Sequence, residues 1–327
     1  MPTRFASLTR AVRNGAGFAG LLFVSTSLLA PHIAQAQAFS ITDPTTSADG
    51  STYYWTPFTV AGSGGNTRMS DPTIDQQTGQ IQDDLVGSAS TPGFFIRYGQ
   101  IGGVDSVAFR FVENKLYTSG GTPGFTGQIS VGLDTDGDSA LDIVLTVIGK
   151  NSNNGINYQA PGTGANNSPS TTTLGNPVLI SAFTASNFDY EQINSTLYPN
   201  WTQIGTDPDA VLTFAIPFAS LNSALNALGE SSITTSTLLR FIAFTSTQTN
   251  SINQDLYGPN GISGATTFGA SGAFSELTTI TGVPIPELPS GILTGGLLGA
   301  GLLFRSLRTY RGLSALLGLK VAAAANT

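Results

Sequence analysis

Between two apolar runs the chain sets carboxylates at alternate positions. Asp134, Asp136 and Asp138 are followed by Ala140 and then Asp142, which places acids at relative positions 1, 3, 5 and 9 of one short loop. Alternation of this kind in a tight loop curls the side chains around a common point. Calcium takes about six to eight oxygens in a flexible shell, so such a point suits it. At relative position 7, Ala140 would offer its backbone carbonyl. Four Asp side chains packed this closely repel one another unless a cation sits between them. The apolar runs 129–133 and 143–147 on either side make the loop the tip of a hairpin. A calcium ion here would be structural, pinning that hairpin rather than catalysing a reaction. The alternative is a solvated acidic hairpin loop that binds nothing.

The pattern Asp134-Thr135-Asp136-Gly137-Asp138-Ser139-Ala140-Leu141-Asp142 resembles the Asp-rich calcium loops of integrin-type repeats and, less closely, those of dockerins and EF-hands. The resemblance implies calcium as the cofactor, with Asp134, Asp136, Asp138, Ala140 and Asp142 as its ligands. Those families favour Gly at relative position 6, where this chain has Ser139. The EF-hand Glu at position 12 is replaced by Leu145. As in the integrin-type loop, Asp142 leads directly into an apolar strand.

Other chemistry is narrowly bounded. The chain has no Cys, and its only His is His32, near the N-terminus. Ser-His-Asp and Cys-His catalysis, His-ligated zinc and a His pH switch are therefore excluded for a mature domain that begins after it. Carboxylates remain. Asp83 with Asp84, Asp189 with Glu191, and Asp207 with Asp209 are paired acids. A glycosidase needs two such groups across a cleft, but the simpler reading of these is solvated loop acids. Aromatic residues at 53–55, Tyr198 and Trp201 present flat faces that suit sugar rings. Tyr54, Tyr198 and Trp201 are the candidate ligand-binding residues, the latter two in loop-like sequence that suggests an exposed platform. The polar loop 245–255 offers amides and hydroxyls for glycan contacts, or closes on its own hydrogen bonds.

The elements that would hold these residues read as β structure. Short apolar or alternating runs at 53–60, 94–101, 104–112, 127–133, 143–148, 178–185, 211–218, 238–245 and 274–279 are separated by turn residues such as Gly102-Gly103 and Gly120-Gly121. One helix is expected over 217–228, with Leu221, Leu225 and Leu228 on one face and Gly229 as its stop. Segments 151–176 and 246–264 read as loops, and no fixed-period repeat is present. Together these give an all-β fold: an antiparallel, jelly-roll-like β-sandwich with one short helix plugging one end.

The two ends read as sorting signals. Arg4, Arg10 and Arg13 precede an apolar run, 16–30, that is too short to span a bilayer, and small-x-small sites at 34–38 follow it. This predicts a signal peptide, 1–38, with an uncleaved anchor as the alternative. The domain 39–282 follows, then a Pro-rich linker, 283–290, an apolar segment with an Arg cluster, 291–311, and a tail, 312–327. All 20 acidic residues lie between Asp43 and Glu287, against six basic ones there, a charge of −14. So acidic a surface repels phosphate backbones, and nucleic acid is not an expected partner.

The order of Pro286, Glu287 and Pro289, an apolar run, and Arg305, Arg308 and Arg311 resembles the PEP-CTERM sorting tail of exported bacterial proteins. The box carries an extra residue, Leu288, and the chain runs on past Arg311. That resemblance implies an exosortase-type processing enzyme as partner, membrane attachment through the C-terminal helix, and a Gram-negative cell surface or exopolysaccharide matrix as destination. A plain C-terminal membrane anchor and a buried helix are the alternatives. The expected function is that of a non-enzymatic surface or matrix protein with a calcium-stabilised sandwich, associated with exopolysaccharide. A carbohydrate-binding module and a carboxylate-based glycoside hydrolase are the competing readings.

Overall fold

The structure is a computed structural model that describes residues 37–77, 80–117, 125–150, 154–162, 174–205, 207–258, 268 and 272–282. Nearly all of the expected signal peptide, the linker, the segment 291–311 and the tail 312–327 lie outside the described residues. So do Pro286, Glu287, Pro289, Arg305, Arg308 and Arg311. Among the described residues no helix is long and apolar enough to cross a membrane.

Two antiparallel sheets form the domain. The first has β1 (Thr56–Pro57), β2 (Phe94–Ile101), β3 (Val104–Glu113), β8 (Phe188–Gln192) and β9 (Ala210–Pro217), in the order β1-β2-β3-β9-β8. The second has β4 (Gln128–Asp134), β5 (Ile143–Ile148), β6 (Gly155–Gln159), β7 (Val178–Ser181), β10 (Leu238–Thr245) and β11 (Asp255–Leu256). Their order is β11-β10-β4-β5-β6-β7, and β12 (Thr278–Thr279) pairs with β10. Consecutive strands mostly stay in one sheet as hairpins. A jelly roll sends most successive strands to opposite sheets, so the jelly-roll-like order expected from the strand pattern does not describe this connectivity. The chain changes sheet between β3 and β4, β7 and β8, and β9 and β10. Because β3 pairs with β9 and β4 with β10, two of these crossings run side by side and lock the sheets together.

Between the sheets, the odd residues of β3 (Val107, Phe109 and Phe111) meet Ile129, Val131 and Leu133 of β4 and Phe241 of β10 in the main core. The Phe109 and Phe241 rings stand 5.8 Å apart across the interface. The alternation expected for β3 is thus real. However, the even positions are buried too, because each sheet carries a further apolar layer outside it. On the first sheet, Phe39, Ile41, Trp55 and Tyr198 cover Phe95, Ala108 and Ala215. On the second, Ile252, Leu256, Phe268 and Phe274 cover Val144, Ile242 and Phe244. This explains continuous apolar runs such as β5, Ile-Val-Leu-Thr-Val-Ile, in an antiparallel sheet: both of its faces are dry.

The helix α1 (Phe218–Leu228) follows β9 and buries Leu221, Ala224 and Leu225. It ends in a Schellman arrangement: Gly229 takes φ 91°, its N–H reaches Asn226, and the Glu230 N–H reaches Leu225 at 3.0 Å. Gly102 and Gly103 both have positive φ in the two-residue β2–β3 turn, where side chains would be strained.

Strands β2, β5 and β10 match their expected bounds. The expected strand at 53–60 contracts to β1 and isolated bridges, and 274–279 contracts to β12. Segment 151–176, expected as loop, contains β6, which pairs with β5. Segment 246–264 likewise contains β11. Strand β8 was hidden in the acid pair Asp189 and Glu191. Its inward residues Phe188 and Tyr190 alternate with those acids, which lie half-buried on the other face.

Candidate functional site

Strand β4 ends at Asp134 and β5 begins at Ile143, so residues 135–142 close the β4–β5 hairpin. Asp134 is buried at the root of the loop, while Asp136 and Asp138 are exposed on its rim. One carboxylate oxygen from each lies within 4.8 Å of the other two. Ligands about 2.4 Å from a calcium ion stand at most about 4.8 Å apart, so these oxygens fit one shell.

The backbone holds the carboxylates in place. Asp134 accepts N–H bonds from Gly137 at 2.7 Å and from Ser139 at 3.0 Å. Asp136 accepts from the Asp138 N–H, and Asp138 from the Ala140 N–H. Gly137 and Ser139 take φ of 85° and 68°. Ser139, a non-Gly residue, therefore makes a left-handed turn here, at a cost in strain. Burial raises the Asp134 carboxyl above its usual range against its N–H bonds, and Asp142 adds to the rise.

Asp142 stands apart from that trio: its Oδ2 takes the Thr135 N–H at 2.6 Å and the Thr135 hydroxyl. It braces the shoulder of the loop. Of the expected loop ligands, Asp134, Asp136 and Asp138 are thus brought together at the hairpin tip, while Asp142 lies on its shoulder and Ala140 gives its N–H to Asp138. Oxygen donors alone suit a hard cation such as calcium.

The aromatic candidates separate. Tyr54 is 49 % exposed. Tyr198 is only 3 % exposed, which corrects the expected exposed platform. Its ring packs edge-on against Phe95, and its hydroxyl donates to the Pro92 carbonyl at 3.0 Å. An apolar ring in a loop over the outer face of the first sheet gains more from burial than from water. Trp201 is half-buried beside Tyr198, and its Nε1 donates to Asp209 at 2.6 Å. An open cleft of about 230 Å³ is lined there by Gln192, Asn194, Trp201, Gln203 and Asp209, among others. Another, of about 480 Å³, is lined by Tyr53, Asn66 and Arg68, among others. The first cleft holds one carboxylate and the second none, so neither brings together the facing acids that the hydrolase alternative needs.

The other acids are not all solvated. Asp83 and Asp84 are 1 % and 0 % exposed and Asp209 is 3 %, which corrects the reading of these as solvated loop acids. Tyr117 donates to Asp83, and Asn114 and the Ile74 N–H donate to Asp84. The loop 245–255 also turns inward. Asn253 accepts from the Thr247 N–H at 2.9 Å and the Ser246 hydroxyl at 2.7 Å, so the loop closes on its own bonds. A further acidic group, Asp71, Asp75 and Asp255, comes together only through the fold. No spacing signals it, since two members lie four residues apart and the third opens β11. Comparison with protein families, curated proteins and solved structures finds no match.

Proposed function

We propose that this chain is an exported, non-enzymatic cell-surface or matrix protein whose β-sandwich is stabilised by calcium in the Asp134–Asp142 loop. The observation that carries the calcium part is the convergence of the Asp134, Asp136 and Asp138 oxygens within one coordination shell. Export rests on the sequence of 1–38, and sorting on the PEP-CTERM-like residues Pro286, Glu287, Pro289, Arg305, Arg308 and Arg311. An exosortase-type enzyme would process that tail, with the membrane as a transient attachment and exopolysaccharide as the final surroundings. The ion's role is to neutralise the loop and fix the β4–β5 hairpin in a domain with no disulfide. The test has two arms. Chelation lowers the melting temperature of the wild-type protein, and Asp136→Ala removes the part of that difference that the hairpin loop supplies; a chelation effect as large in Asp136→Ala as in wild type defeats the calcium reading of the loop. Mass spectrometry of secreted and membrane fractions finds mature termini near Phe39 and near Pro286; a cytosolic, full-length species defeats the export reading.

A second reading, a carbohydrate-binding module, is favoured by one observation: the half-buried Trp201 borders an open cleft that also carries the amide side chains of Gln192, Asn194 and Gln203. Such an aromatic and amide pairing suits a sugar ring. Polysaccharide pull-down lost in Trp201→Ala but kept in Tyr54→Ala supports it. Absence of binding to any polysaccharide leaves the structural role alone.

A further inference from the structure

We propose that Asp71, Asp75 and Asp255 form an internal calcium site that ties the turn carrying Asp71 and Asp75 to the edge of the second sheet. The proposal does not rest on the Asp134–Asp142 loop. One oxygen of each carboxylate lies within 4.8 Å of the others, the span of a single calcium shell. Unlike the hairpin loop, this group is inside the protein: Asp71 is 2 % exposed and Asp255 is 0 %.

The independent pointer to a ligand is an orphaned carboxyl oxygen. Asp71 Oδ1 takes the Gly258 N–H at 2.6 Å, but its buried Oδ2 has no hydrogen-bond partner among the described residues. Both oxygens of Asp75 are equally shut off from solvent and equally without a partner. Next to it, Gln76 is buried with neither amide atom bonded. Unpaired buried carboxylate oxygens are among the costliest groups a fold can hold, and a cation removes that cost.

The surroundings fit a ligand shell already oriented by the backbone. The Asp255 carboxylate takes the Leu85 N–H at 2.6 Å and the Leu256 N–H at 2.7 Å. Asp84, close by, holds the turn that carries Asp75 by accepting the Ile74 N–H at 2.9 Å. Such outer bonds fix a ligand's direction. With oxygen donors only, and neither Cys nor His in the group, the chemistry selects a hard cation rather than zinc or copper. The ligands come from two distant stretches. A bound ion would therefore cross-link the long segment before β2 to β11, where no disulfide does so.

The test measures calcium bound per chain by equilibrium dialysis of the EDTA-stripped full chain, with melting followed in parallel. Asp75→Asn is expected to lose one equivalent relative to wild type and part of the calcium-induced rise in melting temperature, whereas Asp136→Ala keeps this site. If Asp136→Ala binds as much as wild type while Asp75→Asn binds one less, the internal site stands and the hairpin reading falls. Unchanged stoichiometry and affinity in a folded Asp75→Asn overturns the internal site. Should that variant not fold, unmutated crystals soaked in terbium decide: an anomalous peak among the three carboxylates supports the site. An empty centre, with the acids simply protonated, overturns it.

Discussion

At the scale of the residue, Ser139 shows how the loop trades strain for shape. A non-Gly side chain at φ 68° costs roughly 1–2 kcal/mol relative to the right-handed region, yet the turn lets the Ser139 N–H reach Asp134. Ser139→Gly is therefore expected to raise stability by about 0.5–1 kcal/mol, read as a higher urea midpoint with unchanged calcium binding. A lower midpoint would mean that the serine makes a contribution beyond its backbone. The loop itself was legible in the sequence because its chemistry is local: the ligands are neighbours along the chain. The burial of Tyr198 was not, since its partners Phe95 and Pro92 lie a hundred positions away. Asp71 and Asp255 were silent for the same reason.

At the scale of the element, Arg110 is the staple of the first sheet. It sits on the outer face of β3, fully buried, in a position that alternation marks as facing away from the core. Its guanidinium donates to the Ile41 carbonyl at 2.6 Å, the Asp43 carbonyl at 2.9 Å, and the hydroxyls of Thr45 and Thr213. Trp55 lies against it, ring centre 4.0 Å from the guanidinium carbon. Burial lowers the Arg110 pKa to about 9, which leaves it charged at neutral pH. Arg110→Met removes all these donors and strands the carbonyls. It is expected to cost roughly 3–5 kcal/mol and to speed hydrogen exchange across 39–55 before the rest of the sheet. Uniform exchange loss would mean that the segment is not separately held. Strand β5 was legible because two dry faces demand a nearly continuous apolar run, and β2 and β10 because aromatic and aliphatic residues cluster there between turn residues. Strand β6 was not, since Asn-Tyr-Gln reads as loop until β5 supplies its pairing.

At the scale of the whole molecule, an acidic chain with few internal cations has buried several carboxylates, and this sets its pH response. Asp83 and Asp209 are pushed up to about 6, chiefly by burial, from 3.8. Asp71, Glu113 and Asp255 are raised further, again by burial first. Asp49 moves the other way, to about 2, through the Ser47 and Ser51 hydroxyls and the Ser51 N–H, but it is a single exposed group. A raised carboxyl binds more protons folded than unfolded between its two pKa values. Stability therefore falls as pH rises from about 4 to 6, by roughly 1–3 kcal/mol for each of Asp83 and Asp209. In chelator, the urea midpoint is expected to be higher at pH 5 than at pH 7.5; the reverse order would show that these acids are ionised inside the fold without penalty. By itself the sequence determined the β class, the helix and its glycine stop, and the hairpin of acids, because each depends on periodicity or spacing over a few residues. Only the tertiary structure decided which faces are dry, which acids are buried, and that Asp71, Asp75 and Asp255 meet. Those outcomes depend on chain segments far apart in sequence that become neighbours when the sheets close.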